Sequence, residues 1–280
     1  MIRVELVKLA RRPRSWATIS LLCLLPIVVA VFVAVTHVAP PPGQGPALLS
    51  AVLANGSLFP AAALAIVLPI FLPVAVAVIA GDAIAGEASA GMLRYLLVRP
   101  VGRTRLLVAK LITLIVFVLI AVIAVALTSY ITGRLLFGDQ PVAIGTGGVT
   151  SNALATSLSG SGLTAADILF RTAGAIAFIA VSMLGVGAIA LFLSTLTDSA
   201  LAAALGALAA LVTSGVLVAL GAAAAVSPYL PTRYWLSWLD FFREPILWRD
   251  IDRGFAIQGV YVLVFLAAAW ANFASKDITS

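Results

Sequence analysis

Charge is scarce in this sequence. Only 10% of its 280 residues are Asp, Glu, Lys or Arg, whereas a soluble domain carries about 25%. There is one cysteine, Cys23, and one histidine, His37. A lone cysteine excludes internal disulfides and thiolate metal clusters. A lone histidine with no carboxylate nearby in the sequence offers no acid–base pair. This composition disfavours an enzyme.

The sequence contains long apolar runs without charged residues, and 62% of all residues are hydrophobic. A helix that crosses about 30 Å of hydrocarbon needs roughly 20 such residues. The first run is too long for a cleavable signal peptide and lacks a cleavage site. The sequence therefore predicts an all-α polytopic membrane protein, a single domain over residues 1–280 with six transmembrane helices. The six runs are Trp16–Val38, Leu58–Ala80, Leu111–Ile131, Ala173–Leu193, Ala200–Val226 and Phe255–Phe273.

Motifs for bound nucleotides, metals or driving ions are also missing. No glycine-rich loop ends in Gly-Lys-Ser/Thr, and no metal-ligand cluster is visible. Proton- or sodium-driven carriers usually keep charges inside their spans, but here Asp82, Lys110 and Arg171 lie near span ends. There they can snorkel or form pairs, as Arg171 can with Asp167 four residues earlier. We expect no cofactor in this chain.

The basic residues indicate the orientation in the membrane. Of the 17 Lys and Arg residues, eleven lie in the N-terminal tail, around residues 94–110 and in the C-terminal tail, and six lie in the opposite loops. Basic residues near span ends stay on the cytoplasmic side. Both termini are therefore predicted to be cytoplasmic. The net charge of +6 suits anionic lipid headgroups, and nucleic acid is not expected as a partner.

The first 15 residues predict an amphipathic interfacial helix. At helical spacing, Ile2, Leu6 and Leu9 share one face and Glu5 and Lys8 the other. Such a helix lies in the plane of the membrane surface, although the same residues also fit a simple positive-inside anchor. Further on, Pro60, Pro69 and Pro73 predict a kinked second span. This kink fits either a pathway-lining helix or ordinary packing.

Two outer segments differ in composition. Residues 138–167 are rich in Gly, Ser and Thr and predict a mobile loop that is too polar to pack. Residues 227–254 are rich in aromatic side chains and contain Pro231 and Pro245. They predict an extracytoplasmic hairpin of two short helices at headgroup level before the sixth span. A plain aromatic belt that anchors the last span is the alternative.

The densest polar stretch follows the second span, from Gly86 to Lys110. Plotted as a helix, Glu87, Gly91 and Arg94 fall within about 60° of one another, whereas Leu93 and Leu96 lie on the other side. Pro100 ends the pattern. The segment is predicted to be a short amphipathic helix whose polar stripe faces a partner, or else a generic basic loop.

At these residues the sequence resembles the permease subunits of bacterial type-2 ATP-binding-cassette exporters. Members of this family commonly carry a Glu, a Gly-Thr-Leu-Arg motif, a Pro, a basic residue and a Lys in this order after the second span. Met92 stands here in place of the usual Thr. The six spans, the N-terminal helix and the outer hairpin also look like this family. The matching residues are Glu87, Gly91, Leu93, Arg94, Pro100, Arg103 and Lys110.

The resemblance implies a function that the residues alone do not. Residues 86–99 would form a cytoplasmic coupling helix that docks on a separate ATPase subunit, which binds ATP and Mg. Two permeases, identical or siblings, would pair to export a drug or lipid-like cargo from the bacterial inner membrane. Two alternatives remain, a membrane assembly or sensor protein without transport, and, less favoured, a proton-coupled carrier.

Overall fold

The structure is a computed structural model that describes residues 1–36, 48–52, 55–89, 103–138, 154–220 and 224–275. Helices account for most of these residues. They are α1 (Ile2–Arg11), α2 (Pro13–Thr36), α3 (Leu49–Val52), α4 (Phe59–Val67), α5 (Phe71–Gly81), α6 (Ala85–Ser89), α7 (Arg103–Phe137), α8 (Ala165–Leu196), α9 (Ala200–Ala219) and α10 (Trp248–Ser275).

Five of these helices, α2 and α7 to α10, are long and apolar enough to cross a membrane. The helices α4 and α5 form a sixth candidate, a broken span that bends by 59°. The prediction of an all-α polytopic membrane protein is confirmed. Several helices extend past the predicted apolar runs, as α7 does by starting at Arg103, because charged residues are tolerated at span ends.

The break in the second span lies between Val67 and Phe71 and contains Pro69. Proline lacks the N–H that a helix needs and crowds the preceding turn, so the predicted kink is confirmed. Nearly every residue of α4 is buried, including Phe59 and Leu64. The break itself is at the surface of the bundle, where Ile70 is 63% exposed.

Helix α8 lies at the centre and packs against α5, α7, α9 and α10. Small residues let its neighbours come close. A Cβ atom added at Gly185 would lie 2.2 Å from Gln258 Oε1, and one at Gly187 would lie 2.6 Å from a Leu114 methyl group. Close approach of this kind drives helix association where lipid removes the usual hydrophobic gain.

The predicted N-terminal helix is present as α1, and its side with Glu5 faces the bundle; its position at a membrane surface stays a prediction. Glu5 is buried, whereas Ile2 of the apolar side is 41% exposed. The helix contacts α7 and α2. The simple positive-inside anchor does not fit this burial, because an anchor has no reason to bury its one carboxylate.

Part of the glycine-rich loop is packed, contrary to the expectation that it is too polar to pack; residues 139–153 of this loop lie outside the described residues. Residues Ala155–Thr156 (β1) and Gly162–Leu163 (β2) form an antiparallel pair. Ala155 and Leu163 are each 1% exposed. The turn between the strands is satisfied locally by Ser157, whose Oγ accepts from Ser159 N at 3.2 Å and from Ser161 N at 3.1 Å. Polar residues pack here because their hydrogen bonds are made.

The aromatic outer segment differs from the predicted hairpin. It contains two 3-10 helices, Ser227–Tyr229 and Ser237–Phe242, and residues 248–254 belong to α10. Trp238 and Phe242 are fully buried in an edge-to-face pair with centroids 6.2 Å apart. Tyr229 remains 68% exposed. The segment is thus a partly buried cover on the bundle, and only its outer residues fit an aromatic belt.

Arg171 fixes this cover, and it does so without Asp167. Its Nη1 donates to Phe241 O at 3.1 Å and to Arg243 O at 2.7 Å, and its Nη2 pairs with Glu244. Asp167 instead forms a capping box with Thr164 at the start of α8. The charge of Arg171 still acts on Asp167, but the salt bridge of Arg171 is formed with Glu244. Helix capping and the cover's carbonyl groups supply better partners.

The triplet Asn55-Gly56-Ser57 matches a glycosylation sequon, but its asparagine is fully buried. Asn55 Oδ1 accepts from Ser57 N at 2.7 Å, and its amide nitrogen donates to Leu154 O. Gly56 lies so close to α7 that an added Cβ atom would be 2.1 Å from Gly133 O. This triplet has a structural role, as an N-cap at a close backbone contact.

Candidate functional site

The structure brings two of the predicted site residues together. Glu87 of α6 and Lys110 of α7 form an ion pair, Nζ to Oε1, at 2.5 Å. Both are buried, at 1% and 6% exposure. Arg103 begins α7. The other predicted site residues lie outside the described residues, as does most of the predicted coupling helix 86–99. They are Gly91, Leu93, Arg94 and Pro100.

Helix α1 adds two further members to this pair. Glu5 Oε2 accepts from Lys110 Nζ at 2.8 Å. Lys8 Nζ donates to Glu5 Oε1 at 2.9 Å and to Glu87 Oε1 at 3.1 Å. We call these four residues, Glu5, Lys8, Glu87 and Lys110, the ion cluster. It contains two positive and two negative charges, so it can be buried without a net charge.

The sequence offered one weak sign of the α1 contribution. Glu5 is the only acid among the first 15 residues, where five are basic. An acid three residues before Lys8 is an ordinary helix pair and did not stand out. The pairing of Lys110 with Glu5 joins residues 105 positions apart, which local patterns do not reveal.

The ion cluster changes the protonation equilibria of α1. Burial acts to raise the pKa of Glu5, but the hydrogen bonds and positive charges of Lys110 and Lys8 outweigh it, and the pKa falls below its ordinary 4.5. Burial acts to lower the pKa of Lys8, but the bonds to Glu5 and Glu87 outweigh it, and the pKa rises above 10.5. Both groups are therefore charged at neutral pH.

Glu87 buries its carboxylate inside the bundle, and its contact with a partner stays a prediction. The side chain is 1% exposed and faces Lys110 and Lys8. Its second oxygen, Oε2, has no hydrogen-bond partner among the described residues. A buried carboxylate held by two cations positions helices more than it recognises a protein surface.

Ser194 near the end of α8 holds the turn that precedes α6. Its Oγ donates to Gly81 O at 2.7 Å and accepts from Ile84 N at 3.1 Å and Ala85 N at 2.9 Å. The Ser194 hydroxyl thus forms hydrogen bonds with three backbone groups of this turn. Ser194 is itself buried, at 1% exposure. The segment after the second span is joined to α8 as well as to α1 and α7.

Asp82 in the same turn fixes the elbow between α1 and α2. Its two carboxylate oxygens lie 3.0 Å from Arg12 Nη1 and 3.4 Å from Arg14 Nη1. A cavity of about 50 Å³ lies beside these residues and the ion cluster, lined among others by Ser15 and Thr113. A water molecule needs about 10–15 Å³ and polar neighbours, so water can hydrate the cluster from this side.

A second opening lies at the break in the second span. It is an apolar groove of about 420 Å³ between the break, α9 and the outer cover. Pro69, Leu211 and Trp235 are among its lining residues. Ligand sites of this kind are mostly apolar with few polar groups and measure about 300–1,000 Å³. The groove therefore suits an apolar or amphipathic molecule.

The contacts at these sites join helices and line two openings. Among the described residues, no group of three or more His, Cys, Asp and Glu side chains could hold a metal ion. The ion cluster contains no hydroxyl or thiol group, and its members are paired with one another. The cluster links the segment after the second span to α1 and α7, and Ser194 links it to α8.

Comparison with known proteins agrees with this architecture. No curated protein is matched by the chain. The pattern of the family described as ABC-2 family transporter protein matches residues 1–194. This region contains α1, the first four candidate spans, the ion cluster and Ser194. Because the match covers more than half of the 280 residues, this multi-pass membrane protein belongs to the ABC-2 transporter family, whose members are the membrane subunits of ABC transporters.

Proposed function

We propose that the chain is the permease subunit of an ATP-driven exporter, coupled to a separate ATPase subunit that binds ATP and Mg. The family match over residues 1–194 carries this proposal. The sequence contains no phosphate-binding loop of its own. Energy for transport would then enter through a protein contact, and residues 86–99 are the segment proposed for it.

The links around α6 support this assignment. Glu87 binds Lys110 of α7 and Lys8 of α1, and the turn before it binds Ser194 of α8. A displacement of the segment after the second span would therefore be passed to α1, α7, α8 and the broken span. Tightly packed elements of this kind move as rigid bodies and not by gradual deformation.

The position of the linked elements supports cytoplasmic termini. The ion cluster gathers α1, the end of the second span and the start of α7 at one end of the bundle. Asn272 near the end of α10 joins the same end, because its Nδ2 donates to Thr195 Oγ1 at 2.9 Å. The ATPase of such a transporter is cytoplasmic. The proposal therefore places this end of the bundle, with both termini, on the cytoplasmic side of a bacterial inner membrane. The excess of Lys and Arg there agrees.

The apolar groove at the break in the second span is the proposed cargo surface. Leu68, Leu208 and Val212 contribute to its wall. Within the described ranges, α4 and α5 are the one pair of helices separated by such a bend. The outer cover closes the groove on one side through Thr232 and Trp235. A hydrophobic drug or a lipid-like molecule fits such a wall. The groove is open, which agrees with one permease forming half of a pathway with a second, identical or sibling chain.

Co-purification tests the ATPase coupling. The chain is produced together with the ATPase encoded nearest to its gene and purified in detergent. We expect the pair to hydrolyse ATP, the chain alone to hydrolyse none, and Arg94→Ala to reduce the amount of ATPase that is retained. Arg105→Ala, which removes an exposed arginine of α7, is the matched control. A chain that transports cargo in liposomes without any ATPase would overturn the proposal.

The ion cluster allows a second test, in which assembly and coupling are separated. Glu87→Gln keeps the size of the side chain but removes the charge that holds Lys110 and Lys8. We expect the complex to assemble while cargo no longer stimulates ATP hydrolysis. Arg243→Gln, at the opposite end of the bundle, should leave stimulation intact. If both variants bind the ATPase but neither of them transports cargo, an assembly or sensor role is favoured instead.

A further inference from the structure

The exposed side of α1 has two arginines without an acidic partner. Five basic residues occur between Arg3 and Arg14. Three of them are paired, Lys8 with Glu5 and Glu87, and Arg12 and Arg14 with Asp82. Arg3 and Arg11 are both exposed, and neither has a carboxylate partner among the described residues. Two positive charges are thus available on this side of α1.

These two arginines flank an apolar strip. Arg3, Val7 and Arg11 follow one another at intervals of four residues, so they share one face of the helix. Val4 lies beside them, and the two valines are 57% and 43% exposed. Together with Pro13 they line a shallow groove of about 510 Å³ along α1. An apolar strip flanked by basic residues on a helix is typical of a face that contacts lipid at a membrane surface.

The groove lies where the chain enters its first membrane span. The chain is extended at Arg12, and α2 begins at Pro13. Trp16, which is 55% exposed, donates from Nε1 to Ala10 O at 2.7 Å and closes the elbow between the two helices. Tryptophan with one apolar side and one polar atom is typical of the membrane–water boundary. The groove is therefore at the level of lipid headgroups.

We propose that this groove is a binding site for one anionic phospholipid. The guanidinium groups of Arg3 and Arg11 would bind its phosphate, which arginine can do with paired hydrogen bonds. An acyl chain would cover Val4 and Val7. Arginine stems are long and apolar, so both charged ends can turn towards one headgroup. A zwitterionic lipid carries its own cation and lacks the net charge that two unpaired arginines favour.

Lipid binding would also affect the ion cluster, because α1 carries the lipid site and two residues of the cluster. Lys8 and Glu5 project from the same helix into the cluster. A lipid that binds the outer side of α1 would hold the helix against α7. Anything that binds the folded state alone stabilises it. The proposal does not depend on the ATPase or the cargo and goes beyond the proposed function.

Native mass spectrometry of the full chain in detergent tests the proposal, with phosphatidylglycerol as the probe. We expect one molecule to be retained in preference to phosphatidylethanolamine and to raise the midpoint of thermal unfolding. Arg3→Gln with Arg11→Gln should weaken the retention about tenfold or more. The control, Arg233→Gln with Arg249→Gln, removes two exposed arginines elsewhere and should change retention less than twofold.

Three further arms make the outcome decisive. Val4→Ser with Val7→Ser should also weaken retention, since the apolar strip is part of the site. Free glycerol phosphate should neither compete nor stabilise, which separates a lipid from a phosphate ion. The single changes Arg3→Gln and Arg11→Gln cover the case in which the double variant does not fold. The proposal would be overturned if the Arg3 and Arg11 variants and the control lost phosphatidylglycerol retention equally. Retention of phosphatidylethanolamine equal to that of phosphatidylglycerol would overturn it too.

Discussion

Lys110 Nζ lies 2.8 Å from Glu5 Oε2, although 105 residues separate the two in the sequence. Both side chains are buried, at 5% and 6% exposure. This contact joins the N-terminal helix to the third candidate span. Because Glu87 shares the same ammonium group, the segment after the second span is bound to both, and four charges hold three helices in one arrangement.

Replacing Lys110 by Met should strongly destabilise the protein. Removal of one partner from a buried ion pair leaves an uncompensated charge and costs about 3–5 kcal/mol; here two glutamates would lose their shared cation. We expect a lower midpoint of thermal unfolding in detergent. Arg105→Met, which removes an exposed cation of the same helix, should shift stability by about 0.5 kcal/mol or less. Equal shifts in the two variants would mean that the ion cluster contributes nothing.

The contribution of Glu5 to stability should depend on pH. Its pKa is lower in the folded state than its ordinary 4.5, so the contribution is present above pH 4.5 and is lost as the pH falls through the folded value. Lys8 has the opposite sign: its pKa is raised above 10.5, so its contribution is present below that pH and is lost as the pH rises through the folded value.

Thermal unfolding at pH 7 and below pH 4.5 measures the Glu5 effect. Glu5→Gln should be less stable than the natural chain at pH 7, and the difference should shrink on acidification because the natural residue becomes neutral too. Asp250→Asn, which changes a carboxylate that is 51% exposed, should show a small difference at both pH values. A difference for Glu5→Gln that stays constant would contradict the assigned pKa shift.

Local sequence signals predicted the spans but not their connections. An apolar run of 20 residues has few alternatives to a membrane helix. Pro69 predicted the break in the second span, because proline lacks the N–H that a helix needs. The partners of Arg171 could not be predicted in this way. Asp167 is nearer in sequence, but Phe241 O and Arg243 O are 70 and 72 residues away.

Composition gave the wrong burial for two segments whose side chains find partners within the fold. The Gly/Ser/Thr-rich stretch before α8 predicted a loop that does not pack, yet Ser157 and Ser161 bind across its turn at 2.6 Å. The aromatic segment before α10 predicted a hairpin at headgroup level, with a surface belt as the alternative, yet Trp238 fills the core. In both cases the burial is decided by tertiary partners, which composition does not contain.

Gly56→Ala should destabilise the contact between the start of the second span and α7. The new methyl group would lie 2.1 Å from Gly133 O, and backbone at this distance has to move, at a cost of about 1–3 kcal/mol. Gly215→Ala is the control, because no atom lies within 4 Å of the added Cβ atom there and alanine favours helix by up to about 1 kcal/mol. Thermal unfolding of both variants is the measurement, and an unchanged midpoint for Gly56→Ala would contradict the close contact.

Arg171→Met should release the outer cover without unfolding the bundle. The change removes hydrogen bonds from a charged donor to Phe241 O and Arg243 O, each of the kind that contributes about 1.5–3 kcal/mol. Amide exchange over residues 237–244 should become about tenfold faster or more, since local opening follows local free energy. Arg233→Met, at an exposed position of the same cover, should leave exchange unchanged. Exchange that accelerates equally in α9 would indicate general unfolding instead.

Ser194→Ala should loosen the turn that joins α5 to α6. Two buried backbone N–H groups, of Ile84 and Ala85, would lose their acceptor, at about 1–3 kcal/mol for unsatisfied groups. Ser129→Ala is the matched control, because Ser129 Oγ is buried and has no partner among the described residues, so its removal should be neutral or stabilising. If Ser194 also transmits motion, Ser194→Ala should weaken cargo-stimulated ATP hydrolysis by the assembled transporter while Ser129→Ala leaves it intact. Equal stability and equal stimulation in the two variants would show that the turn is held by packing alone.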